Sequence, residues 1–252
     1  MRISKLVCGD NFEGNAKIAL DQLEKSIDIF FERSLNFLKE DLTEVEQNDV
    51  ICFGSFCARA LLENACAALY GRLDTFRLIY ISEFQSSSEY DLGKRAKTAF
   101  SWTGDIFTEE KPSQDLWNVD HDIPKISRAL FSRYTNHLFW MPAIDKMLDQ
   151  LNSLDSTEGL EDLLIIEADN FIAEVKGKAS RLYSELSKGV HWEFFTSTLT
   201  LDLTTVQVNI REVFELLAKM ALVSHFMPTA YASLSSENAM LEYKQLKEVV
   251  QW

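Results

Sequence analysis

The sequence predicts an all-α bundle of long antiparallel helices. Three observations carry that expectation. Nine glycines and four prolines in 252 residues are under half of the usual share of roughly 12%, whereas strand-rich folds use both at frequent turns. Apolar residues recur at spacings of three and four through several long stretches, the period of an amphipathic helix. Only 196–206, TSTLTLDLTTV, has strand-like composition, and an isolated strand is not stable alone, so it reads as a loop leading into a helix. The length suits one helical domain over 1–252, with 86–150 as an insertion or side layer.

Residues 13–40 form the first predicted helix, with Ile18, Leu20, Leu23, Ile27, Phe30, Phe31, Leu35 and Leu38 alternating with mostly acidic side chains. A second runs over 48–73, with Asn48 or Asp49 as its cap. It is apolar almost all round, the mark of a central helix buried on most faces, and Gly71 loosens its end. Residues 75–85 read as a short helix or a bent continuation. A short helix over 89–102 and a loop over 104–120 follow, the best place in the chain for a mobile lid. Asp122 and Pro124 open a helix over 123–151, which Pro142 kinks or breaks. The next helix, 158–188, carries the stripe Ile165, Ala168, Ile172, Val175, Ala179, Leu182, Leu186 and ends at Gly189. Helices over 203–226 and 235–250 complete the bundle. The core is the 48–73 helix packed against 13–40, 158–188 and 203–226.

Twenty-five basic and thirty-nine acidic residues leave a formal charge of −14. That charge repels nucleic acid at long range and lacks a DNA-binding footprint. It also opposes docking on anionic membranes. The N-terminus MRISKLVCGDNFEG lacks the apolar core of a signal peptide, and no stretch approaches 18 uncharged apolar residues, so the expected compartment is the cytoplasm. Cys8, Cys52, Cys57 and Cys66 contain no CxxC pair and read as small hydrophobes in a reducing environment. The four histidines form no HxxxH or HExxH, no ExxH pair supports a di-iron site, and phosphate-binding glycine loops are absent. Neither a metal nor a cofactor is expected.

The informative segment is Arg181-Leu-Tyr-Ser-Glu-Leu-Ser-Lys-Gly-Val-His191. Tyr183 and Ser187 lie 40° apart at about 100° per residue, and a histidine beside them at a helix end can act as general acid or base. It can equally be an imidazolium held by the helix dipole. On the 48–73 helix, Arg59 and Glu63 stand at i and i+4. They read either as a buried ion pair that fixes helix register or as part of a site. Arg133, His137 and Trp140 share a helical face, which suits core packing or a stacked nucleobase. Trp192, Phe194 and Phe195 suit loop packing or partner docking.

Tyr183-x-x-Leu186-Ser187-x-x-Val190-His191 resembles the YxxLSxxVH motif of bacterial helical proteins in the HEPN superfamily, and Arg59-x-x-x-Glu63 is similar to a feature of the same proteins. The close resemblance covers about ten residues, and the order of long helices matches more loosely. It implies a bundle of four or five helices, often a symmetric homodimer, in toxin–antitoxin and antiphage modules, many members being metal-independent ribonucleases. Those place an Arg-x(4–6)-His motif at a dimer cleft, and that motif is absent here: Arg181 and His191 are too far apart, Arg133 and His137 too close. Two functions follow from the resemblance. In the first the chain cleaves or binds RNA without metal, with His191 as acid or base, Arg59 or Arg181 as the phosphate cation, Tyr183 and Ser187 orienting, and Glu63 as a further candidate site residue. In the second it is a noncatalytic subunit that recruits a partner nuclease or ATPase. A pocket lined by Phe and Trp would instead mark a small-molecule sensor.

Overall fold

The computed structural model describes residues 2–91, 99–108, 116–117, 126–191 and 202–252, with the side chain of His191 excluded. The architecture is an all-α bundle. Its elements are α1 (Ile3–Cys8), α2 (Gly14–Asn36), α3 (Glu44–Leu73), α4 (Thr75–Ser86), α5 (Arg133–Thr135), α6 (Met141–Asn152), α7 (Ala168–His191), α8 (Leu203–Ser224) and α9 (Ser236–Val250). A π-helical turn over Asn136–Trp140 joins α5 to α6. No strand is present among the described residues.

The long helix α3 is the axis. By length and composition it could cross a bilayer, but here α2, α7 and α8 pack along it. Gly54 permits a close approach of α8, since a Cβ there would lie 2.4 Å from Val206 Cγ1. Thr43 starts α3, accepting from the Glu46 amide while the Glu46 carboxylate accepts from the Thr43 amide, a capping box. The cap is therefore five to six residues earlier than Asn48 or Asp49. The expectation that α3 is buried on most faces holds only beyond its first turns, because Cys52, Phe53 and Phe56 are exposed. Gly71 loosens nothing. It is buried within the helix, where a Cβ would come 3.2 Å from Leu78 of α4.

Other boundaries also shift. α2 ends at Asn36 instead of residue 40. α7 starts at Ala168 instead of 158, because Gly159 takes φ +79° and a 3-10 turn over Glu161–Leu163 turns Leu160 and Leu163 into the core. Ile165 is 80% exposed and lies outside the buried stripe. Residues 126–132 are not helical, while Asp122 and Pro124 lie outside the described residues. Pro142, which has no N–H to donate, sits in the first turn of α6 behind the π turn, so the chain continues without a break. The wider turn also changes the face of Trp140. It is fully buried and donates its indole N–H to Leu130 O at 3.0 Å, while His137 is exposed, so Arg133, His137 and Trp140 form no common binding face. The described part of the irregular region is tied down. Arg77 pairs with Asp105 at 3.2 Å, and Leu130 and Phe131 donate backbone bonds to Asp105 and Ile106.

The tightest polar knot is at Arg72, 1% exposed. A guanidinium has five N–H donors, and all five are used. Nε donates to Tyr231 O, Nη1 to Val7 O and Ser224 Oγ, and Nη2 to His225 Nδ1 and Ser233 Oγ, at 2.7–3.1 Å. None of the five partners is a carboxylate. Val7 O belongs to the last turn of α1, where carbonyls have no intrahelical donor, so the cation caps a helix C-terminus. Burial pulls the Arg72 pKa down to about 10, which leaves it charged at neutral pH. His225 Nδ1 accepts from Arg72 and from the Leu234 amide, so its proton is on Nε2, which donates to Leu6 O at 2.7 Å. Burial and then the Arg72 charge push the His225 pKa down to about 3. Gly9, at φ +85°, lets the loop after α1 press on Ala232, where a Cβ would overlap the carbonyl oxygen.

Two outcomes follow for stability in urea. Replacing Arg72 by Met removes the donor from three buried acceptors, on Val7, Ser224 and His225, and from two part-buried ones, on Tyr231 and Ser233, and should cost about 3–5 kcal/mol; a loss below about 1 kcal/mol would contradict the knot. His225 is neutral in the fold but protonates in the unfolded chain below its ordinary pKa near 6.5. Its contribution is therefore complete above that value and falls with acidification, reaching about 1 kcal/mol lost between roughly pH 6 and 5. A His225→Gln variant should lack that part of the slope.

Candidate functional site

The two stretches singled out in the sequence meet where α3 and α7 pack side by side. Arg59 and Glu63 project from one face of α3, one turn apart, and Arg59 Nε donates to Glu63 Oε1 at 3.1 Å. Arg59 Nη2 donates to Tyr183 Oη of α7 at 2.9 Å. The guanidinium carbon also lies 4.7 Å from the centroid of the same ring, within the range of a cation–π contact. Trp102 stacks on the same ring at 4.1 Å with planes 10° apart. A connected set of Arg59, Tyr183 and Trp102 results, closed at the cationic end by Glu63.

Trp102 reaches this set from the turn over 99–107, a segment that periodicity does not resolve. Its rings pack on Phe107, which packs on Phe131. Arg59 is half-buried, with 19% of its side chain exposed against 43% for Glu63, so the ion pair is only partly shielded from solvent.

The remaining predicted residues separate from this set. Ser187 donates its hydroxyl to Tyr183 O one turn back at 2.5 Å, a local bond within the helix. Arg181 is two residues from Tyr183, about 200° around the helix, and faces α8. It donates to Glu212 at 2.7 Å and to Glu185 at 3.0 Å, and the Glu212 hydrogen bond raises its pKa further. It therefore cannot share a phosphate with Arg59. His191 closes α7, about 12 Å beyond Tyr183 along the axis, and its side chain lies outside the described residues, as do His121, Trp192, Phe194 and Phe195. The arginine–histidine pair that the fold does build, Arg72 with His225, is enclosed in the core.

Beside Glu63 and Tyr183 opens a groove of about 460 Å³ between α2, α3, α4 and the 99–107 turn. Leu78 and Ile81 form its floor, and Phe100 and Trp102 one wall. Among the described residues, no group of His, Cys, Asp and Glu is arranged to hold a metal ion. In comparisons with known proteins, the chain matches no family, no curated protein and no solved structure.

The geometry ranks three substitutions. Tyr183→Phe keeps the stack and loses the Arg59 bond, at about 1 kcal/mol. Tyr183→Ala also removes the ring that Arg59 and Trp102 both contact, at about 3 kcal/mol. Arg181→Ala should cost under about 1 kcal/mol, as surface ion pairs do. Urea denaturation of the three variants measures the order, and a larger loss from Arg181→Ala than from Tyr183→Ala would contradict it.

Proposed function

We propose that this protein is a noncatalytic, HEPN-like helical subunit of a bacterial toxin or antiphage module, acting by docking a protein partner. The observation that carries this reading is the fate of its candidate phosphate cations. Metal-free cleavage of RNA needs a cation for the developing charge and a general acid or base beside it. Arg59 is already matched by Glu63 and Tyr183, and Arg181 by Glu185 and Glu212. Both cations already face carboxylates, Arg59 that of Glu63 and Arg181 those of Glu185 and Glu212, in a chain of charge −14, which offsets their attraction for a phosphate.

Two further features support the reading. The stretches that resemble HEPN proteins touch through Arg59 and Tyr183. On α3, one to two turns before Arg59, Phe53 and Phe56 are 55% and 52% exposed, which gives a partner an aromatic foothold on the central helix. That partner is a second copy of the chain, a nuclease or an ATPase.

The test is incubation of the purified protein with RNA in EDTA, beside His191→Ala and Arg59→Ala. The reading predicts intact RNA in all three. Cleavage by the wild type that disappears in His191→Ala would overturn it in favour of a metal-independent ribonuclease.

A further inference from the structure

We propose that the groove between α2, α3, α4 and the 99–107 turn binds a small organic cation, an amine carried on an aromatic or apolar body. This goes beyond partner docking and does not depend on it. The groove holds about 460 Å³, within the roughly 300–1,000 Å³ of small-molecule sites. Its floor at Leu78 and Ile81 is buried and apolar, so a ligand body gains by leaving water there.

The rim selects the charge. Glu63 is the single charged side chain lining the groove among the described residues. One carboxylate oxygen, Oε1, accepts from Arg59, and the second is left as an acceptor on a side chain that is 43% exposed and so reachable. Asn64 donates its amide nitrogen to Ser26 Oγ at 3.1 Å, which leaves its carbonyl oxygen as a second acceptor at the rim. Two acceptors suit an ammonium group, which has three donors and no acceptor. The Phe100 and Trp102 rings add an aromatic wall, and a π face turned to a ligand favours a cation over an anion. Trp102 is held in place by its stack on Tyr183, so the wall is formed before a ligand arrives. The charge of −14 concentrates cations at the surface and repels carboxylates and phosphates.

Calorimetric titration with three probes of one shape tests the assignment: 2-phenylethylamine, 2-phenylethanol and 3-phenylpropionate. The amine should bind one site with Kd roughly millimolar or tighter, and the alcohol about tenfold more weakly. The propionate should not bind. Glu63→Gln should remove the preference for the amine while leaving alcohol binding unchanged. Ser82→Trp, which fills the groove, should abolish binding of all three, with circular dichroism confirming that both variants remain folded. Absence of saturable amine binding, propionate binding equal to or tighter than the amine, or amine binding that survives Ser82→Trp would each overturn the proposal.

Discussion

A buried guanidinium with no counter-ion is the constraint on which the bundle turns. Arg72 lies at the end of the central helix and would be costly to desolvate if any of its donors went unmet. The chain meets all five with two main-chain carbonyls, two serine hydroxyls and one imidazole nitrogen. Those acceptors come from α1, from the end of α8 and from the loop before α9. Satisfying one side chain therefore fixes where three separate pieces of chain must sit. It also gives the six-residue α1 a reason to fold, since so short a helix is not stable alone. The Tyr231 amide returns a bond to Arg72 O, and the Asp10 amide one to Ala232 O. The knot thus holds backbone to backbone as well as side chain to backbone.

The same economy of cations runs through the bundle. Arg59 ties α3 to α7, Arg181 and Lys178 tie α7 to α8, and Lys247 joins α9 to Asp162 before α7. Burial alone would raise the Asp162 carboxyl, but hydrogen bonds from Lys247 and Tyr243 outweigh it and hold its pKa below the usual range. In a chain with so large an acidic excess, these cations act as inter-helix ties between acidic surfaces.

Much of this was legible in the residues. The helices over 203–226 and 235–250 agree with α8 and α9 within two residues, because Asp202 and Ser235 cap stretches of clear period. The pairing of Arg59 with Glu63 follows from spacing on one helix. Thr43-x-x-Glu46 was legible as a capping box, yet the polar run after it hides the start of α3 from a search for apolar periodicity. Arg181 could have been separated from Tyr183 by helical angle alone. The π turn before Pro142 was not legible, since its extra residue leaves no compositional trace. Nor was the Arg72 knot, whose partners are backbone carbonyls, hydroxyls and an imidazole up to 161 positions away. Trp102 was out of reach for a related reason, because nothing local places it on Tyr183.

The central claim is that Arg59 is a structural tie between α3 and α7 and not a cation held ready for phosphate. A double-mutant cycle with Arg59→Met and Tyr183→Phe, read by urea denaturation, addresses it directly. The two groups share a hydrogen bond in a half-buried setting, so the account predicts a coupling of roughly 1 kcal/mol. Strictly additive losses would show that the two side chains do not support one another, and would contradict it.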